Sequence, residues 1–385
     1  METLAPFTEV IDEIKEAGGD IFKMCFQCGL CDAVCPWNKV RQFSMRKLIR
    51  EAAFGLTEIE EEDLWRCTTC GSCPDHCPRG VKQMDISMAL RRVATEYEVF
   101  PASVKSARTA RASLISEGNP LQGELAKRSD WAKNLSVKPF TDDMEILYFV
   151  GCYFSYDPRM KKVAAATASI LKKAGVEFGI LGEEENCCGE SIRKIGSEKV
   201  FKNLAKKNIK TFIDKGVKKI IVSSPHCYHT FKNEYPEFMV HFEVVHMSQF
   251  IKELTDDGRI ELKGALNRKV TWHDPCYLGR HNNIYEAPRD VLKKIPELAF
   301  IEMEAHGKRS LCCGGGGGRI WMDTPQEERF SDIRLKQADE AGAKILATAC
   351  PYCITNFEES RLNLAYEDTI EVKDLAEIVD EMSDQ

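Results

Sequence analysis

The sequence predicts an α+β protein of several domains: a helical N-terminal domain, then two related α/β repeats, each built on a parallel sheet. Three observations predict it. The chain has 385 residues, more than one ordinary core holds. Its 17 cysteines fall in ordered groups, eight before residue 80 and nine after residue 150. Strand-like apolar runs also alternate with helical ones, twice over, along the C-terminal half, which is the pattern of parallel strands with crossover helices. The expected bounds are 1–100 for the helical domain, 101–142 for a linker, 143–262 for the first repeat and 263–385 for the second.

Composition narrows the class. The formal net charge is −7, which gives no case for nucleic acid, since that partner wants a basic face. The longest apolar stretch, near Ile146 to Phe154, is far shorter than the ~20 residues of a membrane helix. The N-terminus has neither a basic start nor a continuous apolar run, so no signal peptide is read there. The expectation is a cytoplasmic protein with no span of its own, held at a membrane only through partners. Thiols in that compartment stay reduced, so the cysteine spacings point to metal rather than to disulfides.

The helical domain holds two runs, Cys25-x2-Cys28-x2-Cys31-x3-Cys35-Pro36 and Cys67-x2-Cys70-x2-Cys73-x3-Cys77-Pro78. Each is the bacterial ferredoxin run, in which three close thiolates bind one [4Fe–4S] cubane and the fourth ligates the other. Cubane one therefore takes Cys25, Cys28, Cys31 and Cys77, and cubane two takes Cys67, Cys70, Cys73 and Cys35. The proline turns the chain away and donates no N–H. Zinc ribbons share the two-residue spacing but not a triple run present twice. The spacer residues Met45 to Ala53 read as helix, as do Ile86 to Glu96 with apolar Ile86, Met88, Leu90 and Val93, so this ferredoxin-like domain is expected to be helical. Paired cubanes in a small domain suit a wire more than a catalytic site.

Residues 101–142 are polar, weakly patterned and broken at Asn119-Pro120 and Lys138-Pro139. Their basic charge reads as a solvated face.

The first repeat opens with a strand, Ile146 to Val150, which ends at Gly151-Cys152. A helix through Ala164 to Ala174, a strand Phe178 to Leu181, Cys187-Cys188-Gly189 and a helix Lys199 to Lys215 follow. The strand Lys219 to Val222 then runs into Ser224-Pro225-His226-Cys227. The second copy runs from strand Val270 to Trp272 into Asp274-Pro275-Cys276, then Cys312-Cys313-Gly314, a helix around Glu328 to Ala341, strand Ile345 to Ala347 and Cys350-Pro351-Tyr352-Cys353. Cys152 aligns with Cys276, Cys187-Cys188 with Cys312-Cys313, and Cys227 with Cys353, whereas Ser224 stands opposite Cys350. The second repeat is thus a five-cysteine site and the first a four-cysteine site with one serine. All groups follow strand ends, where open α/β sheets place ligands.

The duplicated Cys…Cys-Cys-Gly…Cys-Pro-x-Cys pattern (the CCG motif), preceded by a two-cubane domain, resembles the heterodisulfide reductase family, in particular its fused ferredoxin-plus-catalytic subunit. His273-Asp274-Pro275-Cys276-Tyr277-Leu278-Gly279-Arg280 is similar to the iron–sulfur subunits of lactate and glycolate oxidases. The resemblance implies a noncubane [4Fe–4S] cluster on Cys276, Cys312, Cys313, Cys350 and Cys353. Gly314 to Gly318 would let the backbone approach that cluster and aim N–H groups at its sulfides. No Gly-Lys-Ser/Thr follows, against a phosphate loop.

The first site departs from the family pattern, because Ser224 is a hard, weak ligand where a thiolate is expected. Cys152, Cys187, Cys188 and Cys227, with His226 or His229 nearby, are open to a second noncubane cluster, a cubane, zinc or no metal. In the family's disulfide reductases two intact noncubane clusters flank the substrate disulfide, and the lost ligand puts that chemistry in doubt. His273 is the one candidate catalytic residue, as a neighbour or proton donor of the complete cluster, with a packed strand-end role equally open. His281 and His246 read as structural.

The functional expectation is an electron-transfer subunit of a multi-subunit oxidoreductase, linking a flavoprotein partner, two cubanes and a noncubane cluster. No Gly-x-Gly-x-x-Gly fingerprint is present, so a flavin would come from a partner, an A-type heterodisulfide reductase component or another flavoprotein, alongside other redox subunits. The alternative is a catalytic disulfide or quinone reductase working at the noncubane cluster. A scaffold with structural clusters is the third reading.

Overall fold

The computed structural model describes residues 6–55 and 61–383. Two compact units emerge. The first comprises residues 1–111, 191–201 and 314–330; the second comprises 112–190, 202–313 and 331–385. The division does not run along the chain as the sequence suggests. The segments that follow Cys187-Cys188 and Cys312-Cys313 belong with the N-terminal unit, and both α/β repeats share the other.

The first unit is helical. In Met45–Phe54 the residues Met45, Leu48, Ile49 and Ala52 are buried, one face at the spacing of a helix. Ser44 caps its start by accepting from the Lys47 N–H at 3.1 Å, and Gly55 ends it with φ +64°. Gln83–Glu96 buries Ile86, Ala89, Leu90 and Val93. Its Arg91 has no exposed surface. The guanidinium donates to four carbonyls: Leu64 at 3.1 Å, Cys67 at 2.8 Å, Lys194 at 3.0 Å and Gly317 at 2.7 Å. One side chain thus ties the second cysteine run to both inserted segments.

In the second unit, strands β1 (Ile146–Phe149), β2 (Phe178–Gly179), β3 (Lys219–Val222) and β4 (Glu243–His246) form a parallel sheet in the order β2-β1-β3-β4. Strands β5 (Lys269–Trp272), β6 (Ala299–Ile301), β7 (Ile345–Thr348) and β8 (Glu371–Asp374) repeat it as β6-β5-β7-β8. The central strands β1 and β7 are buried on both faces, as their unbroken apolar runs require. In each sheet the chain winds to opposite sides from the β1/β3 or β5/β7 pair. Open α/β sheets place their ligand crevice at such a switch point, beyond the strand ends.

Three strands are not read from the sequence: β4, β6 and β8. All lie at sheet edges. Edge strands are half solvated, and Glu243, Glu371 and Lys373 break the apolar pattern of β4 and β8, whereas β6 is apolar but only three residues long. Strand β2 stops at Gly179, with Ile180 only bridging to Pro139.

The segment 101–142 is not a bare connector. It contains the helix Lys105–Glu117, whose Ala107, Ala110 and Leu114 are buried. Its Arg128 is buried and pairs with buried Glu185 at 2.7 Å, so that charge is no part of a solvated face. Among the described residues no helix is long and apolar enough to cross a membrane.

Candidate iron–sulfur sites

The two N-terminal runs fold alike. Gln27 and Thr69 have left-handed backbones, with φ of 65° and 49°, and so do Gly29 and Gly71, at 82° and 77°. Kinks of this kind turn successive N–H groups into one hollow, which suits an anionic centre. The cysteines line two cavities. Cys25, Cys28, Cys31 and Cys77 line one. Cys35, Cys67, Cys70 and Cys73 line the other, walled by Trp37, Phe43 and Met45, and Cys31 reaches it too. Each run therefore sends its last cysteine to the other run's cavity.

Burial raises four of these thiols. Cys31 is pushed up to about 12 by burial and then by the adjacent Asp32 carboxylate. Burial likewise raises Cys35, Cys67 and Cys73, and for Cys73 the neighbouring sulfurs Cys67, Cys70 and Cys35 add to it. Four mutually repelling sulfurs in an apolar hollow are a poor arrangement for bare thiolates and a good one for iron. The donor set fits a [4Fe–4S] centre in each cavity.

In the first repeat, Cys152 stands just past β1 and Cys227 in the helical turn Pro225–His229 just past β3, so both stand at the switch point of that sheet. Cys187 and Cys188 complete a chain of sulfur contacts from Cys152 to Cys227. Ser224 is buried and its hydroxyl hydrogen-bonds Cys227, so it lies with the thiols rather than away from them. Arg128 approaches the Cys152 sulfur at 3.7 Å while Glu185 accepts from the N–H groups of Val150 and Gly151 at 3.0 and 2.8 Å. The ion pair thereby fixes the turn that carries Cys152.

In the second repeat, Cys276 contacts Cys312. The sulfurs of Cys313 and Cys353 are 3.2 Å apart, and Cys350 hydrogen-bonds Cys353. All five cysteines are buried and none is in a disulfide. Cys350 immediately precedes the helix Pro351–Asn363, at its N-cap position, without a side-chain capping bond. Although burial opposes it, hydrogen bonds from Cys353 and His226 lower Cys350 to about 5. The five-sulfur set fits a multi-iron cluster better than a single four-coordinate ion.

His273 is fully buried, with a ligand atom within 4.8 Å of those of Cys313 and Cys353. Its Nδ1 accepts from Arg334 Nε at 3.1 Å, which leaves the hydrogen on Nε2. That Nε2 has no protein partner. Burial and Arg334 hold the imidazole neutral. His246 is also buried, pushed down to about 3 by burial, and bonded to Ser248 and the Ser223 carbonyl; its role is structural. His281 stacks on Tyr277 at 4.3 Å.

One residue, Glu190, escapes motif reading, whereas His226 is already marked by its place beside Cys227. His226 and Glu190 are buried, with Nδ1 and carboxylate 3.1 Å apart. Burial would lower His226, but Glu190 and Cys350 outweigh it and raise it to about 10. Comparing Ser-Pro-His-Cys with Cys-Pro-Tyr-Cys, and Cys-Cys-Gly-Glu with Cys-Cys-Gly-Gly, was the available signal.

The glycine run behaves differently from expectation at one point. The close approach at Gly317 is to the N-terminal run: a Cβ there would sit 2.3 Å from the Cys67 carbonyl oxygen, and φ is +62°. Gly317→Ala is expected to cost roughly 2–4 kcal/mol, from backbone strain plus overpacking. Gly258 has a similar φ of +69° but open space around it. Gly258→Ala therefore reports the strain alone, and equal losses in unfolding midpoint for the two variants would show that the contact with Cys67 is unimportant.

The chain matches the model of a 4Fe-4S dicluster domain over residues 21–81 and that of a cysteine-rich domain, CCG, over 146–232 and again over 270–358. It is 36% identical over 332 residues to a probable iron-sulfur-binding oxidoreductase, FadF, of Bacillus subtilis, which covers 83% of this chain and 46% of that protein. It is 34% identical over 336 residues to an EtfAB:quinone oxidoreductase of Syntrophomonas wolfei, covering 83% and 46%. One of the subunits of the dihydromethanophenazine:CoB–CoM heterodisulfide reductase of Methanosarcina barkeri is 31% identical over 388 residues, covering 93% of each. The chain thus spans about half the length of the first two and nearly the whole of the third.

Proposed function

The chain belongs to the heterodisulfide reductase family of iron–sulfur oxidoreductase proteins, and from that premise we propose that it works as the electron-transfer subunit of a larger oxidoreductase. Electrons would pass between a flavoprotein partner, two cubanes and a noncubane cluster. Cubane one is assigned to Cys25, Cys28, Cys31 and Cys77, and cubane two to Cys67, Cys70, Cys73 and Cys35. Cys276, Cys312, Cys313, Cys350 and Cys353 are assigned to the noncubane cluster. When bound, such clusters accept and release single electrons. The chain's own part is to bury them, supply thiolates and set the hydrogen bonds around them.

The observation that carries this reading is that Cys31 lines both N-terminal cavities. Two centres that share a wall are close enough to relay electrons, which is the use of a wire. The likeness to an EtfAB:quinone oxidoreductase and to a subunit of a CoB–CoM heterodisulfide reductase supports a place in a redox chain with protein partners. A second reading, catalytic reduction of a disulfide or quinone, has its own support in the His273 Nε2–H beside Cys313 and Cys353. Ser224 weighs against a symmetric two-cluster disulfide site.

Anaerobic purification with iron and sulfide analysis, followed by EPR across a reductive titration, tests the proposal. About twelve irons, as three four-iron centres, with two cubane signals and one unusual signal, is the expected result. About sixteen irons with two unusual centres, and turnover of a small disulfide, would replace the wire by the reductase.

A further inference from the structure

The two repeats have diverged at three places around their cysteines. Ser224 replaces the cysteine found at position 350, His226 stands opposite Tyr352, and Glu190 stands opposite Gly315. The loss of one thiol ligand is thus accompanied by the gain of a histidine and a carboxylate. Both new side chains are buried, at 4% and 1% exposure, and 3.1 Å apart. Burial of two such groups is costly unless each has a defined partner.

Their target is not their own repeat. The His226 ring lies beside the sulfur of Cys350, in the other repeat, close enough to lower that thiol. It is also clamped between the rings of Tyr277 and Tyr352, with centroids 4.2 and 4.3 Å away. Glu190 on one side and two aromatic faces leave the imidazole little freedom to turn.

We propose that the Glu190–His226 pair is a device of the first repeat that serves the second: His226 is a positioning residue that donates an N–H to the Cys350 sulfur and so raises the reduction potential of the cluster held there. This rests on the assignment of a cluster to the five cysteines. A sulfur that accepts a hydrogen bond passes less negative charge to iron. The reduced cluster carries one more electron and gains most from that donor, so the potential rises. No bond is made or broken. The degenerate repeat keeps a function without a full set of ligands.

The full chain with its clusters is used for the test. His226→Phe keeps a flat ring but has no donor, and His226→Gln keeps an N–H. The readouts are iron content and the midpoint potential of the unusual cluster by EPR. The expected result is wild-type iron in both, a lower potential in His226→Phe and recovery toward wild type in His226→Gln. An unchanged potential in His226→Phe with the cluster present overturns the proposal. Should His226→Phe lose the cluster, a His273→Phe variant labelled with 15N-histidine decides by ENDOR, because His273 also lies beside Cys313 and Cys353. A weak coupling, that of a nitrogen one hydrogen bond from the cluster, is expected. No coupling, or the strong coupling of a directly bound nitrogen, overturns it. Failure of the underlying cluster assignment looks different: wild-type protein would hold about eight irons and show only cubane signals.

Discussion

Replacing Cys77 by alanine is expected to abolish the cluster of the first cysteine run, not that of its own. Cys77 belongs to the second run by sequence, yet it lines the cavity of Cys25, Cys28 and Cys31. Cys35 does the reverse, lining the cavity of Cys67, Cys70 and Cys73. A cubane that loses one of four thiolates has an open iron and is readily lost, so Cys77→Ala should lower iron by about four per chain. The two cavities differ in exposure: Cys28 is exposed, whereas Cys67 and Cys70 are buried. The surviving EPR signal in Cys77→Ala should therefore be that of the more enclosed centre, and in Cys35→Ala that of the more open one. Matching iron loss with the opposite signal surviving in each variant would refute the crossed arrangement. Acid should release iron from both. The unmetallated thiols of Cys31, Cys35, Cys67 and Cys73 have raised affinity for protons, while a bound cluster needs them deprotonated. Falling pH thus favours the metal-free form.

Arg91→Leu is expected to destabilise the N-terminal unit more than any other single substitution of a non-cysteine side chain. The leucine fills much of the volume but leaves the carbonyls of Leu64, Cys67, Lys194 and Gly317 without this donor. Each buried acceptor left unsatisfied costs about 1–3 kcal/mol. Even with partial relaxation the loss should exceed roughly 3 kcal/mol, a large part of the ~5–15 kcal/mol that holds a typical domain. Arg91→Lys should recover little, because an ammonium cannot fork to four acceptors in the guanidinium plane. Because Cys67 is one of the four, the cluster of the second run should become labile as well. Anaerobic thermal unfolding measures the first effect and iron retention after gel filtration the second. A midpoint within a degree or two of wild type would show that the four hydrogen bonds contribute little.

Much of this protein is written locally. The cysteine runs, their prolines and the helix-forming residues from Met45 and from Ile86 are short-range patterns, and local patterns determine local structure. The central strands β1, β3, β5 and β7 are legible for the same reason, since a strand buried on both faces needs an unbroken apolar run. The edge strands β4 and β8 are not, because a half-solvated strand looks like a charged loop until its neighbour is known, and β6 is not, because three apolar residues are too short a run to mark a strand. The segment 101–142 misleads in a similar way: Arg128 reads as a surface charge, and only its encounter with Glu185, 57 positions away, makes it a buried one.

What the sequence by itself determined is therefore the chemistry: which thiols occur, in what order, on two runs and two repeats. Tertiary structure decided which distant groups attend them. The sorting of segments 191–201 and 314–330 into the N-terminal unit, the Arg91 hub and the meeting of His226 with Cys350 across the two repeats all join residues far apart in the chain. No local period encodes such a meeting. It follows from how each unit buries its own apolar surfaces, and that is a property of many segments folding together.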